Sequence, residues 1–261
     1  MVLKRLLSIV GAYKLYEKWL WYQVKNYGKP EHVAIILDGN RRWASEQEVN
    51  PWLGHRKGAE TVELLLDWCE KLEVKSVTLY AFSTENFRRP PEEIQQIMRI
   101  AEEEFRKLLT DERIHRNKIH VKVIGRVNLL PEPLRKLISE VEEATAKYDN
   151  QFLNFAFAYG GRAEIIDATK AIAEKVKNGE LNIDDVNETT FEKYLYTAHM
   201  PNQEPDLIVR TSGEERLSGF LLWQSAYSEL CFLDVYWPDF RLIDLLRAFR
   251  TYERRKRRHG A

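Results

Sequence analysis

Six short apolar runs, at 33–37, 76–82, 120–124, 152–159, 207–210 and 230–235, alternate with longer stretches whose apolar residues recur at helical spacing. Strands separated by helices cannot pair as tight hairpins, so each return to the sheet needs a crossover and neighbouring strands run parallel. Crossover helices then cover both faces. The predicted fold is α/β, a single domain with a mostly parallel six-stranded sheet flanked by helices. No linker rich in Pro, Gly or Ser divides the 261 residues, so one core is expected.

In such sheets ligands gather at the carboxyl ends of strands, where Asp38, Ser83, Tyr159 and Arg210 are predicted to stand. After the fifth run comes Arg210-Thr-Ser-Gly-Glu-Glu-Arg216-Leu-Ser218, two arginines and a hydroxyl around a small-residue turn. Guanidinium forks match phosphate oxygens, and backbone N–H groups at such a turn add donors, so the segment reads as an anion cradle. After the first run comes Asp38-Gly-Asn-Arg-Arg42. A carboxylate facing phosphate is repulsive unless a divalent cation lies between them, which points to Mg2+ bridging to a diphosphate. The plainer alternative is a helix cap beside surface charge.

A third polar cluster, Ser83-Thr-Glu-Asn-Phe-Arg-Arg89, leads into a helix signalled by Pro90-Pro91-Glu92-Glu93. Its stripe of Ile94, Ile97, Met98, Ala101, Phe105, Leu108 and Leu109 suits core packing, and its place after the anion sites suits the wall of a hydrophobic tunnel. Phe152, Phe155 and Phe157 are candidates for the tunnel floor. Asp184-Asp-Val-Asn-Glu188 follows Asn182 at a helix entrance and reads as capping.

Forty basic and forty acidic residues cancel, so no bulk field argues for nucleic acid. Cys69 and Cys231 lack metal or redox spacing and read as buried thiols of a reducing compartment. Residues 1–30 are set apart as an N-terminal amphipathic helix, and 31–261 as the main domain. Lysines interrupt that helix, which excludes a membrane span, while Trp19, Trp21 and Tyr22 with flanking lysines suit a peripheral contact. A helix packed on the domain is the first reading and a peripheral contact at the inner face of the cell membrane the second, the two being compatible on different faces; the protein is expected to be cytoplasmic.

Asp-Gly-Asn-x-Arg-aromatic after the first strand, Gly54-His55, Ser83-x-Glu-Asn86-aromatic-x-Arg89, and Arg-Thr-x-Gly-Glu-x-Arg-x-Ser before Phe-Leu-Leu-Trp-Gln together resemble the cis-prenyltransferases. The resemblance runs from Glu31 to Gly260 and lies nearer the archaeal and dolichol-type branch, since Arg41 follows the asparagine. It implies that an allylic diphosphate, farnesyl or geranylgeranyl, is extended by isopentenyl diphosphate into a medium-to-long polyprenyl diphosphate, precursor of a glycosyl carrier lipid. By the same resemblance Gly39, Asn40, Arg41, Arg42 and His55, with Trp43, hold the allylic diphosphate. Arg210, Arg216, Leu217 and Ser218 hold that of isopentenyl diphosphate. Asp38 and Glu229 manage Mg2+. Ser83, Thr84, Glu85 and Arg89 lie between the substrates, Asn86 assists proton removal, and Phe87 shapes the first prenyl contact.

Arg258 and Gly260 resemble the Arg-x-Gly element with which one subunit of a homodimer reaches its neighbour's phosphate site. The family's arginine nine residues after Arg42 is absent, since Pro51 stands there, and Arg41 or Arg56 would have to replace it. Two other readings bear on the same residues. A non-catalytic partner subunit of the same fold is expected to lose the strand-end aspartate or the cradle, and this chain keeps both. A phosphohydrolase needs a second aspartate where Asn40 stands.

Overall fold

The computed structural model describes residues 12–255. At its centre lies β1 (His32–Ile36), whose five residues are all buried, as befits a strand covered on both faces. The sheet order is β3-β4-β2-β1-β5-β6, with β2 at Ser76–Ser83, β3 at Ile119–Ile124, β4 at Gln151–Tyr159, β5 at Leu207–Arg210 and β6 at Glu229–Phe232. Every pairing is parallel. The chain lays β2 to β4 on one side of β1 and β5 and β6 on the other, so the order reverses between β1 and β5. Ile36 pairs with both Tyr80 and Arg210, which brings the ends of these three strands out along one sheet edge.

The last strand is shorter than its apolar run. Beyond Phe232 the backbone turns to the loop after β5, where the Ser212 and Gly213 N–H groups donate to the Val235 and Leu233 carbonyls at 2.7 and 2.9 Å. Leu233 still donates to the Arg210 carbonyl at 2.9 Å, and residues 234–235 leave the ladder for that loop.

Helices α1 (Ala12–Tyr27), α2 (Asn40–Glu46) and α3 (Pro51–Lys71) precede β2, and α4 (Pro91–Leu108) follows it. Then come α5 (Glu112–Arg116), α6 (Glu132–Thr145), α7 (Gly161–Lys177), α8 (Glu188–Glu192) and α9 (Leu242–Arg254). The larger core packs α3, α4, α6 and α9 against one sheet face, and a smaller cluster around Tyr80, Tyr159 and Phe220 fills the other. Side-chain period two sorts the three β4 phenylalanines. Phe155 and Phe157 face the larger core, whereas Phe152 stacks on His120 at 5.8 Å.

Helix α1 buries Leu20 and Val24 in the core and exposes Leu15, Trp19 and Tyr22. Arg247 and Arg250 of α9 lie over the Tyr16 and Trp19 rings at 5.5 and 4.4 Å. Among the described residues no helix is long and apolar enough to cross a membrane. The two cysteines are buried and free. At Asp184 the side chain of Asn182 accepts the Asp184 N–H at 3.1 Å, so that acidic run is indeed capped.

The smaller face holds a polar chain that answers to acid. His32 Nε2 lies 2.8 Å from the Thr78 hydroxyl, Asn154 Nδ2 donates to that hydroxyl at 3.1 Å, and the Asn154 amide oxygen is 2.8 Å from His199 Nε2. Burial pulls both His32 and His199 from 6.5 down to about 4. Both stay neutral in the fold and take up a proton on unfolding below pH 6.5. Stability is therefore complete above about pH 6.5 and is lost as pH falls towards about 4, on the order of 3 kcal/mol for His32 alone. Denaturant melts across this window should show the decline, and His32→Gln should flatten it. A profile level from about pH 6.5 to about pH 4.5 would refute the assignment.

Candidate active site

The site grows from the crevice where the strand order reverses. Two residues beyond β1 stands Asp38, and the chain then turns at Gly39, whose φ of 107° excludes most side chains. A Cβ there would stand 2.7 Å from a Tyr236 ring carbon. This turn starts α2 and aims Asp38 across the crevice at the end of β5. Asp38 Oδ2 accepts from Arg210 Nη2 at 2.8 Å, and Oδ1 lies 3.2 Å from Arg42 Nη2. The Thr211 hydroxyl meets the Asp38 N–H at 3.0 Å and its carbonyl oxygen at 2.7 Å, fixing the backbone. Burial alone would raise the Asp38 pKa, but hydrogen bonds from Arg210 and Ser212 and the charges of Arg210 and Arg42 outweigh it and hold the carboxyl below its ordinary range.

Arg210 is only 4% exposed. It donates to the Ser218 hydroxyl at 2.8 Å and to the Arg216 carbonyl, while its Nε has no partner among the described residues. A buried guanidinium donor without an acceptor, beside a cavity, is a natural seat for an anionic oxygen. Residues 217–222 form a strap in which Ser218 and Leu221 hold positive φ values of 48° and 44°. Such strain persists only when surroundings over-determine it. Here the Gly161 N–H donates to the Gly219 carbonyl at 2.8 Å, and the Leu221 N–H donates to the Tyr159 hydroxyl at 3.2 Å. That hydroxyl donates to buried Glu164 at 2.5 Å. Gly161 must lack a side chain, since a Cβ would stand 2.5 Å from the Gly219 oxygen.

Between Arg210 and the end of β2 opens a cavity of about 750 Å3. Asp38, Asn40, His55, Ser83, Thr84, Glu85, Asn86, Arg89, Arg210 and Ser218 line it, so ten residues singled out in the sequence converge. A connected mouth of about 710 Å3 adds Gly39, Arg41, Arg42 and Pro51. Leu37, Asn40, His55 and Ala81 are also walls of an apolar cavity of about 130 Å3, closed by α3, α4, Phe155, Phe157 and Trp237. From α4 this tunnel takes Ile97, Ile100, Ala101, Phe105 and Leu108. Phe152, on the other face of β4, is not its floor.

Some expected residues fall elsewhere. Glu229 opens β6, level with Leu207 at the amino end of the sheet, and its side chain accepts from Arg255 at 3.0 Å. Within one chain it cannot share a metal with Asp38, which lies beyond the carboxyl end of β1. The Arg216 side chain points to solvent and pairs with Glu214; only its carbonyl enters the cradle. Leu217 packs against the smaller core, and Phe87 stands edge-on to Phe82 at 5.0 Å. Trp43 lines neither the cavity nor its mouth. The Asn86 amide oxygen accepts the Ser83 N–H at 3.0 Å, which locks the turn and fixes the Asn86 side chain at the cavity wall. Arg56 pairs with Glu103 on the exposed side of α3, whereas Arg41 shares the mouth with Pro51. Arg258 and Gly260 lie outside the described residues.

Other residues of the site escaped sequence reading. Arg162, after Gly160-Gly161 at the end of β4, lines the cavity and repeats the pattern of apolar strand, small-residue turn and arginine that marked the other two segments. Glu93, which reads as one acid of a helix entrance, carried no such signal.

Residues 36–260 match the family described as "Putative undecaprenyl diphosphate synthase". The chain is 54% identical over 253 residues to a tritrans,polycis-undecaprenyl-diphosphate synthase (geranylgeranyl-diphosphate specific) of Methanopyrus kandleri, covering 97% of this chain and 93% of that one. The protein of the same name from Methanocaldococcus jannaschii is 52% identical, covering 98% and 91%. Among solved structures, lavandulyl diphosphate synthase from Lavandula x intermedia, in complex with dimethylallyl diphosphate, superposes with a TM-score of 0.84 at 37% identity, over 89% of this chain and 99% of that one.

Proposed function

Because the chain belongs to the undecaprenyl diphosphate synthase family of cis-prenyltransferases, and is thus an enzyme of cis-prenyl chain elongation, we propose that it extends geranylgeranyl diphosphate with isopentenyl diphosphate to a long polyprenyl diphosphate. The choice of primer rests on the names of the archaeal relatives. The observation that carries the proposal is the continuity of a cationic cavity at the strand ends with an apolar one between α3 and α4. A diphosphate with a prenyl tail has that division.

In each cycle the allylic C–O bond breaks and its electron pair leaves with the diphosphate. The double bond of isopentenyl diphosphate supplies the electrons of the new C–C bond, and loss of a proton from carbon restores a double bond. Gly39, Asn40, Arg41, Arg42, His55 and Arg89 stand where the departing diphosphate gains charge, so they stabilise that charge as it develops. Arg210 and Ser218 hold the incoming diphosphate, and the Arg216 carbonyl steadies the Arg210 guanidinium. Ser83, Thr84 and Glu85 lie between the two. A neutral amide is a very weak base, so a diphosphate oxygen takes the proton and Asn86 assists from the cavity wall.

Mg2+ suits this donor set. It takes hard oxygens, commonly one or two carboxylates completed by substrate phosphates and water, and Asp38 offers such a carboxylate beside the cavity. When bound, the ion would neutralise charge on the departing diphosphate. Exposed Leu15, Trp19 and Tyr22 beside Arg247 and Arg250 support a peripheral membrane contact that would receive an apolar product. The proposal includes a homodimer, on the strength of the Arg-x-Gly element alone.

Incubation of the purified protein with labelled isopentenyl diphosphate, with and without geranylgeranyl diphosphate, tests this reading. Incorporation should require primer and Mg2+, and chromatography should resolve a long-chain product. No incorporation with any allylic primer would leave the non-catalytic partner role in its place.

A further inference from the structure

Glu93, in the first turn of α4, is 9% exposed and faces three basic side chains from three segments. Its Oε1 lies 3.1 Å from His55 Nε2 and 3.3 Å from Arg89 Nη1, and its Oε2 lies 3.5 Å from Arg41 Nε. The hydrogen bond from His55, opposed by burial and aided by the charges of Arg89 and Arg41, holds the carboxyl below its ordinary range. Arg89 has the opposite difficulty, since burial lowers its pKa, Arg41 pushes the same way, and Glu93 counters both. Without a carboxylate at this point two guanidinium groups would repel across a partly buried gap.

We propose that Glu93 is a positioning residue that presets Arg41, His55 and Arg89 around the allylic diphosphate. The inference rests on the functional reading above. Two facts set this carboxylate apart from an ordinary ion pair. All three of its partners line the mouth of the cavity, and on the side where Pro51 stands the wall brings no charge, which leaves Arg41 to supply it. Arg41 is half exposed on a short helix, so its tie to Glu93 confines where its charge can lie. Glu93 itself does not line the mouth and so acts through the basic groups it holds. Removing its negative charge leaves long-range attraction for an anion intact or stronger, so the loss should fall on turnover rather than on primer binding.

Steady-state kinetics of Glu93→Gln, Arg41→Gln and the double variant decide the matter, with Glu103→Gln, which breaks an exposed arginine pair on the outer side of α4, as control. Glu93→Gln is expected to lower kcat at least about tenfold while KM for the primer changes less than about threefold. The double variant should be no slower than the worse single variant by more than about twofold, because Glu93 acts partly through Arg41. Glu103→Gln should retain wild-type rates. Fully multiplicative losses, or wild-type turnover in Glu93→Gln, would overturn the positioning role while leaving the elongation reading in place. A wild-type enzyme inert towards primer would overturn both. If Glu93→Gln melts early, Glu93→Asp, which keeps the charge but shortens its reach, should still lose turnover, and full activity there would count against the inference.

Discussion

Asp38→Asn is expected to lower kcat at least about a hundredfold while the protein keeps its fold. The substitution preserves shape and one acceptor oxygen, so Arg210 retains partners in the new side-chain amide, the Ser218 hydroxyl and the Arg216 carbonyl. What disappears is the negative charge that would hold Mg2+ against two arginines, and loss of a group aimed at developing charge typically costs about a hundredfold to a thousandfold. The control is the melting curve, which should stay within a few degrees because the side chain borders a solvent cavity rather than the core. Turnover within about threefold of wild type, or full wild-type activity in excess chelator, would remove Asp38 from the metal-linked role.

Trp237→Ala should produce a comparably large effect of a different kind, a loss of about 3–5 kcal/mol in folding stability. The indole is fully buried, donates from Nε1 to the Gly58 carbonyl at 2.8 Å and stacks on Phe240 with ring centres 5.1 Å apart. It also lines the apolar cavity beside α3. Truncation would forfeit packing, remove a buried hydrogen bond and enlarge an existing void, three costs that act together. Trp237→Phe should recover most of the packing but not the hydrogen bond. Urea titration reads the difference, and a loss below about 1 kcal/mol for the alanine variant would mean that α3 is anchored elsewhere.

The sheet was legible because its inner strands, β1 above all, are buried on both faces and so appear as short apolar runs between helical stretches. Asp38 and Arg210 were legible because position at a strand end requires only local sequence. Legibility failed where function depends on what packs opposite. Glu93 reads as an acidic first turn of a helix, and only the approach of α2 and α3 turns it inward. Arg216 belongs to a recognisable motif, yet the motif could not tell whether its guanidinium or its carbonyl serves the site. Glu229 was assigned by resemblance, and the register of β6 against β5 places it at the far end of the sheet. The three phenylalanines of β4 needed the identity of the covered face, which alternation alone does not supply.

Asp38 is held in common by Arg42 from one cradle and Arg210 from the other. Two sites that share a counter-charge are thermodynamically linked, and linkage is reciprocal. A cation held by Asp38 would release both guanidinium groups for phosphate; by the same free energy, a phosphate that drew either arginine away would make Asp38 a better ligand for the cation. On the proposed function, cation and phosphate would thus each raise the affinity of the other, whatever their order of arrival, and the crevice between β1 and β5 would tie the metal to both cradles through one carboxylate.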